Sequence, residues 1–133
     1  MKHHGLAENI LILPGGLTAE DGTAPARALL AANHHPSAVL AFNDDCATGA
    51  LSAFFRAGVS VPDDISVVGF DDSHVAHLPH FNLTTAAQDI PRPPELAVIH
   101  LTTALSTGEP RTGENVVAPH HLAIRGTTAA PSP

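Results

Sequence analysis

The sequence predicts an α/β domain built on a parallel sheet, and three stretches carry that prediction. Residues 37–42 (Ser-Ala-Val-Leu-Ala-Phe) and 66–70 (Ser-Val-Val-Gly-Phe) are short apolar runs, each ending in polar residues, Asn43-Asp44-Asp45 and Asp71-Asp72. Between them Ala47, Ala50, Leu51, Phe54, Phe55 and Gly58 keep the i, i+3, i+4, i+7, i+8, i+11 spacing of an amphipathic helix. A short apolar run bounded by turn residues is the pattern of a strand covered on both faces of a parallel sheet. Strand, helix and strand joined by short connections make a βαβ unit. Ligands of open α/β sheets sit outside the carboxyl ends of the strands, so Asn43, Asp71 and the adjoining Asp72 are placed at one edge as candidate ligand contacts.

Taken in order, residues 10–13 (Ile-Leu-Ile-Leu) read as a first short strand stopped by Pro14-Gly15-Gly16. Residues 18–32 are rich in Ala and Leu and open on Thr18-Ala19-Glu20-Asp21, a capping-box start. Pro25 lies deep in that segment, and a proline inside a helix costs about 3 kcal/mol, which places the stable helix from about Thr23. Asp44 or Asp45 is the expected N-cap of the amphipathic helix, and Gly58 its left-handed C-terminal residue. Pro62-Asp63-Asp64 turns the chain into the strand at 66–70.

Beyond Asp72 an irregular stretch carries His74, His77, Pro79, His80 and Phe81, followed by an extended link at Leu83-Thr84-Thr85. Pro91, Pro93 and Pro94 hold off a helix until about Glu95; residues 96–105 are helical in composition, and Gly108 stops them. Val116-Val117 and Leu122-Ala123-Ile124 are two late strands. Residues 127–133, small and proline-rich, read as a frayed tail.

Composition narrows the function. A chain of 133 residues, 44% hydrophobic, supports one domain with a real core. Its net charge is −7 and its only lysine is Lys2, so it lacks the clustered cations that grip phosphate backbones. A single cysteine, Cys46, excludes an internal disulfide framework and fits a reducing compartment. No apolar run is long enough for a signal-peptide core or a bilayer span, and the expected location is the cytoplasm.

Catalytic and metal chemistries find little support. There is no Gly-x-Ser-x-Gly elbow, phosphate-cradling glycine loop or Cys-x-x-Cys pair, and no cofactor is implied. A phosphoryl-accepting Asp71 would need a cation beside it, and Lys2 is the sole lysine. His74, His77 and His80 recur every three residues, but Pro79 breaks the helix that would align them and no carboxylate completes a zinc set. The expectation is a protein that binds and does not catalyse.

One resemblance gathers these pieces. Ala41-Phe42-Asn43-Asp44, the helix with Ala47, Gly49 and Ala50, the run from Gly58 through Pro62-Asp63-Asp64 to Val67-Val68-Gly69-Phe70-Asp71-Asp72, then Leu83-Thr84-Thr85 and Gln88, resemble the effector-binding core of the LacI/GalR family of bacterial transcriptional repressors. Gly108-Glu109-Pro110 and Leu122 through Arg125-Gly126-Thr127-Thr128 agree with it. The resemblance implies a type I periplasmic-binding-protein-like fold, an α/β core of two subdomains with a small effector, usually sugar-like, in the cleft. This chain is similar mainly to the C-terminal subdomain.

On that footing residues 1–85 form a partial C-terminal effector-binding subdomain, 86–118 a crossover that would complete the N-terminal subdomain, 119–126 a return strand and 127–133 a disordered tail. The resemblance further implies effector contacts at Asn43 and Asp71, with Asp72 alongside and Gln88 at the crossing between subdomains. Homodimerisation is implied, DNA is reached only through a helix-turn-helix head absent from this chain, and no membrane is involved. The resulting expectation is the sugar- or small-effector-binding sensor of a truncated regulator. The alternative is a stand-alone small-ligand-binding or interaction protein of the same fold without DNA control. Apolar positions in 95–105 and at Val116-Val117 predict self-association or partial disorder of residues 86–121.

Overall fold

The computed structural model describes residues 5, 7–32, 36–88, 93–107 and 119–130. A single 3-10 turn at Ala7–Asn9 precedes helix α1, Ala19–Ala31. Strand β1, Ala38–Leu40, helix α2, Asp44–Arg56, and strand β2, Ser66–Phe70, follow. Then come a 3-10 turn at His74–His77, strand β3, Thr84–Gln88, helix α3, Pro93–Thr107, and strand β4, His120–Ala123. The four strands form one sheet in the order β1-β2-β3-β4. The first three run parallel, Val39 against Val67 and Gly69 against Thr85, and β4 returns antiparallel with His120 opposite Gln88. The predicted βαβ unit is β1-α2-β2.

Helix α2 covers one face of this sheet, and α1 packs against α2. The core joins Ala26 and Leu29 of α1, Ala47, Ala50, Leu51, Ala53 and Phe54 of α2, and Ile65, Val67, Ala76 and Leu83. Alternation decides which strand residues enter it: Val67 and Gly69 are buried while Ser66, Val68 and Phe70 are only half-buried. Both strands were expected to be covered on both faces, and the structure corrects this. Leu40 is 76% exposed and Leu122 55%, so the face that carries them lies open among the described residues.

Helix α1 corrects a second expectation, because it starts at Ala19 and runs straight through Pro25. Thr18 is its N-cap in a full capping box: Asp21 N–H donates to Thr18 Oγ1 at 3.2 Å, and Thr18 N–H donates to Asp21 Oδ2 at 3.0 Å. Its first turns also lie directly on α2. A Cβ at Gly22 would overlap the Cys46 carbonyl, and one at Gly49 would overlap the Ala19 carbonyl. Thr23 Oγ1 donates to Ala19 O at 2.9 Å with Gly49 O 3.2 Å away. Cap and close crossing together offset the hydrogen bond that Pro25 cannot donate.

Helix α2 ends as predicted, with Gly58 at φ 74°. Gly58 N–H donates to Phe55 O at 3.1 Å and Val59 N–H to Phe54 O at 3.0 Å, the paired bonds of a Schellman motif. Helix α3 begins at Pro93, earlier than Glu95, since first-turn prolines forfeit no helical hydrogen bond. Its Val98, Ile99, Leu101 and Leu105 are 59%, 56%, 63% and 77% exposed. Val116-Val117 lies outside the described residues.

Two further expectations fail for lack of information about partners. Residues 10–13 form no strand, with Leu11 65% and Ile12 85% exposed, since an apolar run becomes a strand only beside another edge. The presumed tail is ordered through Thr127, Thr128 and Ala129. Thr127 is 4% exposed and bonded to Val67 and Thr84, and Ala129 N–H donates to Ser66 Oγ at 3.3 Å. Small polar side chains there complete the hydrogen bonding of β2 and β3. Residues 131–133 lie outside the described set.

Candidate ligand-binding edge

Because β1, β2 and β3 are parallel, their carboxyl ends deliver Asn43, Asp71 and Gln88 to the same edge of the sheet. Strand alternation puts Phe70, Gln88 and His120 on the open face, and the Phe70 and His120 rings lie 5.8 Å apart. Asp71 breaks that alternation. Its φ is 107° and that of Asp72 is 52°, two successive left-handed non-glycine residues, a conformation that Asp tolerates better than most. Gln88 Nε2 then donates to Asp71 Oδ1 at 3.1 Å, which joins two of the predicted ligand residues. Partial burial pushes the Asp71 carboxyl up from its ordinary range, the negative charges of Asp44 and Asp45 add to the rise, and the Gln88 bond opposes it.

Asn43 plays a second part. It is the N-cap of α2, accepting from Cys46 N–H at Oδ1 (2.8 Å) while Nδ2 donates to Leu17 O (3.0 Å). The capping role expected of Asp44 or Asp45 therefore falls to Asn43, because Asp44 is already helical and turned inward, only 1% exposed. Asp72 is similarly engaged: Arg125 Nη2 donates to its Oδ1 at 2.5 Å, and His77 Nε2 lies 3.1 Å from the same oxygen. Arg125 Nη1 also donates to Leu83 O at 2.7 Å, which ties the end of β4 to β3.

Sequence reasoning missed Asp44, Thr85 and Arg125 as parts of this edge. The acid run Asp44-Asp45 offers no local sign that its first member is buried; the nearest signal is Gly69, whose missing side chain leaves room for the Asp44 carboxylate. Cys46 is buried, its thiol donating to Gly16 O at 2.6 Å. Among the described residues no three His, Cys, Asp or Glu side chains gather as metal ligands would, and no helix is long and apolar enough to cross a membrane.

The sequence profile of the periplasmic binding protein-like domain matches residues 1–128. The chain belongs to that family. Among its relatives is the HTH-type transcriptional regulator DegA of Bacillus subtilis, 36% identical over 90% of this chain and 35% of its own length. A LacI transcriptional regulator from a Rhodococcus species superimposes with a TM-score of 0.85 at 41% identity, covering 96% of this chain and 46% of that one. A LacI family regulator from Arthrobacter sp. FB24, solved in complex with lactose, gives 0.75 at 31% identity over 86% of this chain and 43% of that one. The chain thus spans about a third to a half of the proteins it resembles.

Proposed function

We propose that this chain forms part of the effector-binding domain of a LacI/GalR-type transcriptional regulator and that its ligand is a small polyhydroxylated molecule of the sugar class. The observation that carries the reading is the Asp71–Gln88 pair at the carboxyl edge of the sheet. A carboxylate accepts two hydroxyl hydrogens, and the Gln88 side chain has a carbonyl to accept from, and a second amide hydrogen to give to, a neighbouring hydroxyl. The Phe70 and His120 rings, tilted 39° to each other, supply a partly apolar wall for the carbon face of a ring. Asn43 and Asp72 contribute through their remaining lone pairs, held in place by Leu17, Cys46 and Arg125. The lactose complex of the Arthrobacter relative supports a sugar.

Binding transmits information and breaks no bond. A regulator of this kind works in the cytoplasm as a dimer, and DNA contact belongs to a helix-turn-helix head outside these residues. The effector favours one of two arrangements of the sensor, and that preference sets how the dimer meets DNA. Residues 1–85 serve as the effector-binding part, 86–118 as a crossover and 119–126 as the returning strand. A panel of mono- and disaccharides, read by ligand-observed NMR on the chain and on Asp71→Asn, tests this. One saturable sugar with an affinity of about 1 mM, weakened tenfold or more by the substitution, is expected. Equal binding to both proteins, or conversion of the sugar to product, contradicts it.

A further inference from the structure

We infer that Asp44 is the positioning residue of this edge, clamping the left-handed Asp71–Asp72 turn in place through Thr85 Oγ1 and Ser73 N–H. The inference deepens the effector-binding reading and rests on it for its purpose; the geometry stands by itself. Two consecutive residues at positive φ do not persist in a chain of L-residues unless the surroundings over-determine them. Three hydrogen bonds bracket this pair. Asp71 N–H donates to Ala86 O at 3.0 Å. Asp72 N–H reaches Thr85 Oγ1 at 3.4 Å, and Ser73 N–H donates to Asp44 Oδ2 at 2.6 Å.

The last two converge on one carboxylate. Thr85 Oγ1 spends its hydrogen on Asp44 Oδ1 at 2.6 Å, which turns its lone pairs toward the Asp72 amide. Asp44 thus holds the turn directly from behind Ser73 and indirectly through Thr85. Both clamping side chains are sealed from water, with Asp44 1% and Thr85 0% exposed, so neither bond has a solvent substitute. Their positions matter as much as their bonds. Asp44 follows Asn43 at the head of α2, Thr85 lies three residues before Gln88 on β3, and Ser73 closes the turn begun by Asp71. One carboxylate therefore joins the three segments that carry the proposed ligand contacts.

Only a carboxylate fits this role. Both of its oxygens accept, whereas an asparagine whose carbonyl took the Ser73 N–H would turn its NH2 toward Thr85 Oγ1, so that the hydroxyl would have to accept there and its own hydrogen, which now orients it, would lose its acceptor. The test reads the turn itself. Positive φ brings each amide hydrogen close to its own Hα, giving strong intraresidue Overhauser peaks at Asp71 and Asp72. These peaks should weaken in Asp44→Asn and Thr85→Val and survive in Thr85→Ser, with β2–β3 amide exchange protection intact in all three. A double-mutant cycle of Asp44→Asn with Thr85→Val should be non-additive in the sugar affinity, the second change costing less than threefold once the first has cost tenfold. Retention of the peaks in folded Asp44→Asn and Thr85→Val overturns the inference. Loss of the peaks equally in Thr85→Ser, where the hydroxyl remains, overturns it as well. Loss of the peaks as expected in a chain that binds no sugar would instead overturn the effector reading and leave the clamp standing.

Discussion

Thr127 and Val67 are joined in both directions: Val67 N–H donates to Thr127 O at 2.8 Å, and Thr127 Oγ1 donates to Val67 O at 2.7 Å. The same hydroxyl oxygen accepts from Thr84 N–H at 2.9 Å. One threonine thus supplies the hydrogen bonds that β2 and β3 do not give each other where they begin. Thr127→Val keeps the shape and removes the hydroxyl, stranding a buried carbonyl and a buried N–H. A loss of about 2 kcal/mol or more follows, seen as a lower urea midpoint with unchanged slope, while Thr127→Ser should retain most of the stability. An unchanged midpoint in the valine variant contradicts the bridging role.

The α1–α2 crossing is predicted to be the least tolerant part of the core. Gly22→Ala and Gly49→Ala each push a methyl group into backbone of the facing helix, where flexible side-chain adjustment cannot relieve the clash. Overpacking of this kind costs about 1–3 kcal/mol. Gly15→Ala is the control, with nothing within 4 Å of the added carbon, and should leave the midpoint unchanged or slightly raised. Equal tolerance at all three positions would contradict the close crossing.

Arg125 is predicted to act through its fork. Lysine cannot donate to Leu83 O and Asp72 Oδ1 at once from a planar group, so Arg125→Lys keeps the charge and loses one anchor of β4. The expected cost is about 1–2 kcal/mol. Faster amide exchange at residues 122–125 than elsewhere in the sheet would locate the effect. Uniform exchange in the variant would argue against it.

The two perturbed carboxyls predict opposite pH dependences. The Asp71 carboxyl is raised, chiefly by partial burial and then by the Asp44 charge. The folded state therefore holds its proton more tightly than the unfolded chain, so its stabilising contribution is full below the ordinary aspartate value of about 3.9 and is lost as pH rises through the raised midpoint. Asp21 is lowered, chiefly by the Thr18 N–H and then by the Thr18 hydroxyl. Its contribution is present above the ordinary value and is lost as pH falls through the lowered midpoint. Carboxyl-carbon NMR should show Asp71 titrating above Asp21, and Asp44→Asn should bring Asp71 downward. The reverse order of midpoints contradicts both assignments.

How much of this was legible in the sequence depended on whether the cause was local. Helix α2 and strand β2 were, because the apolar spacing lies within the elements and the Gly58 terminator directly follows α2, although Phe55 of that spacing is exposed. The place of Asp71 at a strand's carboxyl end was legible too, because it directly follows the apolar run 66–70. What escaped was set by contacts across the chain. Pro25 is tolerated because the Thr18–Asp21 cap and the crossing that sets Gly22 on the Cys46 carbonyl, far along the chain, hold the helix around it. Residues 10–13 have strand composition but pair with no strand among the described residues. Asn43 took the cap expected of Asp44 or Asp45 because Asp44 turns inward as the buried acceptor of Thr85 and Ser73, and Thr127 reads as tail until Val67 and Thr84 are seen beside it. In each case the residue type was visible and its partner was not.

The most direct measurement maps where a sugar touches the chain. Titration of the 15N-labelled protein with the sugar that binds, followed by amide and side-chain NH2 shifts, should move Asp71, Asp72, Gln88 and the Asn43 side chain together along one saturation curve. Helix α1 and the opposite end of the sheet, at Ser66 and Thr127, should stay still. Shifts centred away from the carboxyl edge, or saturable binding that leaves Asp71 and Gln88 unmoved, would contradict the account.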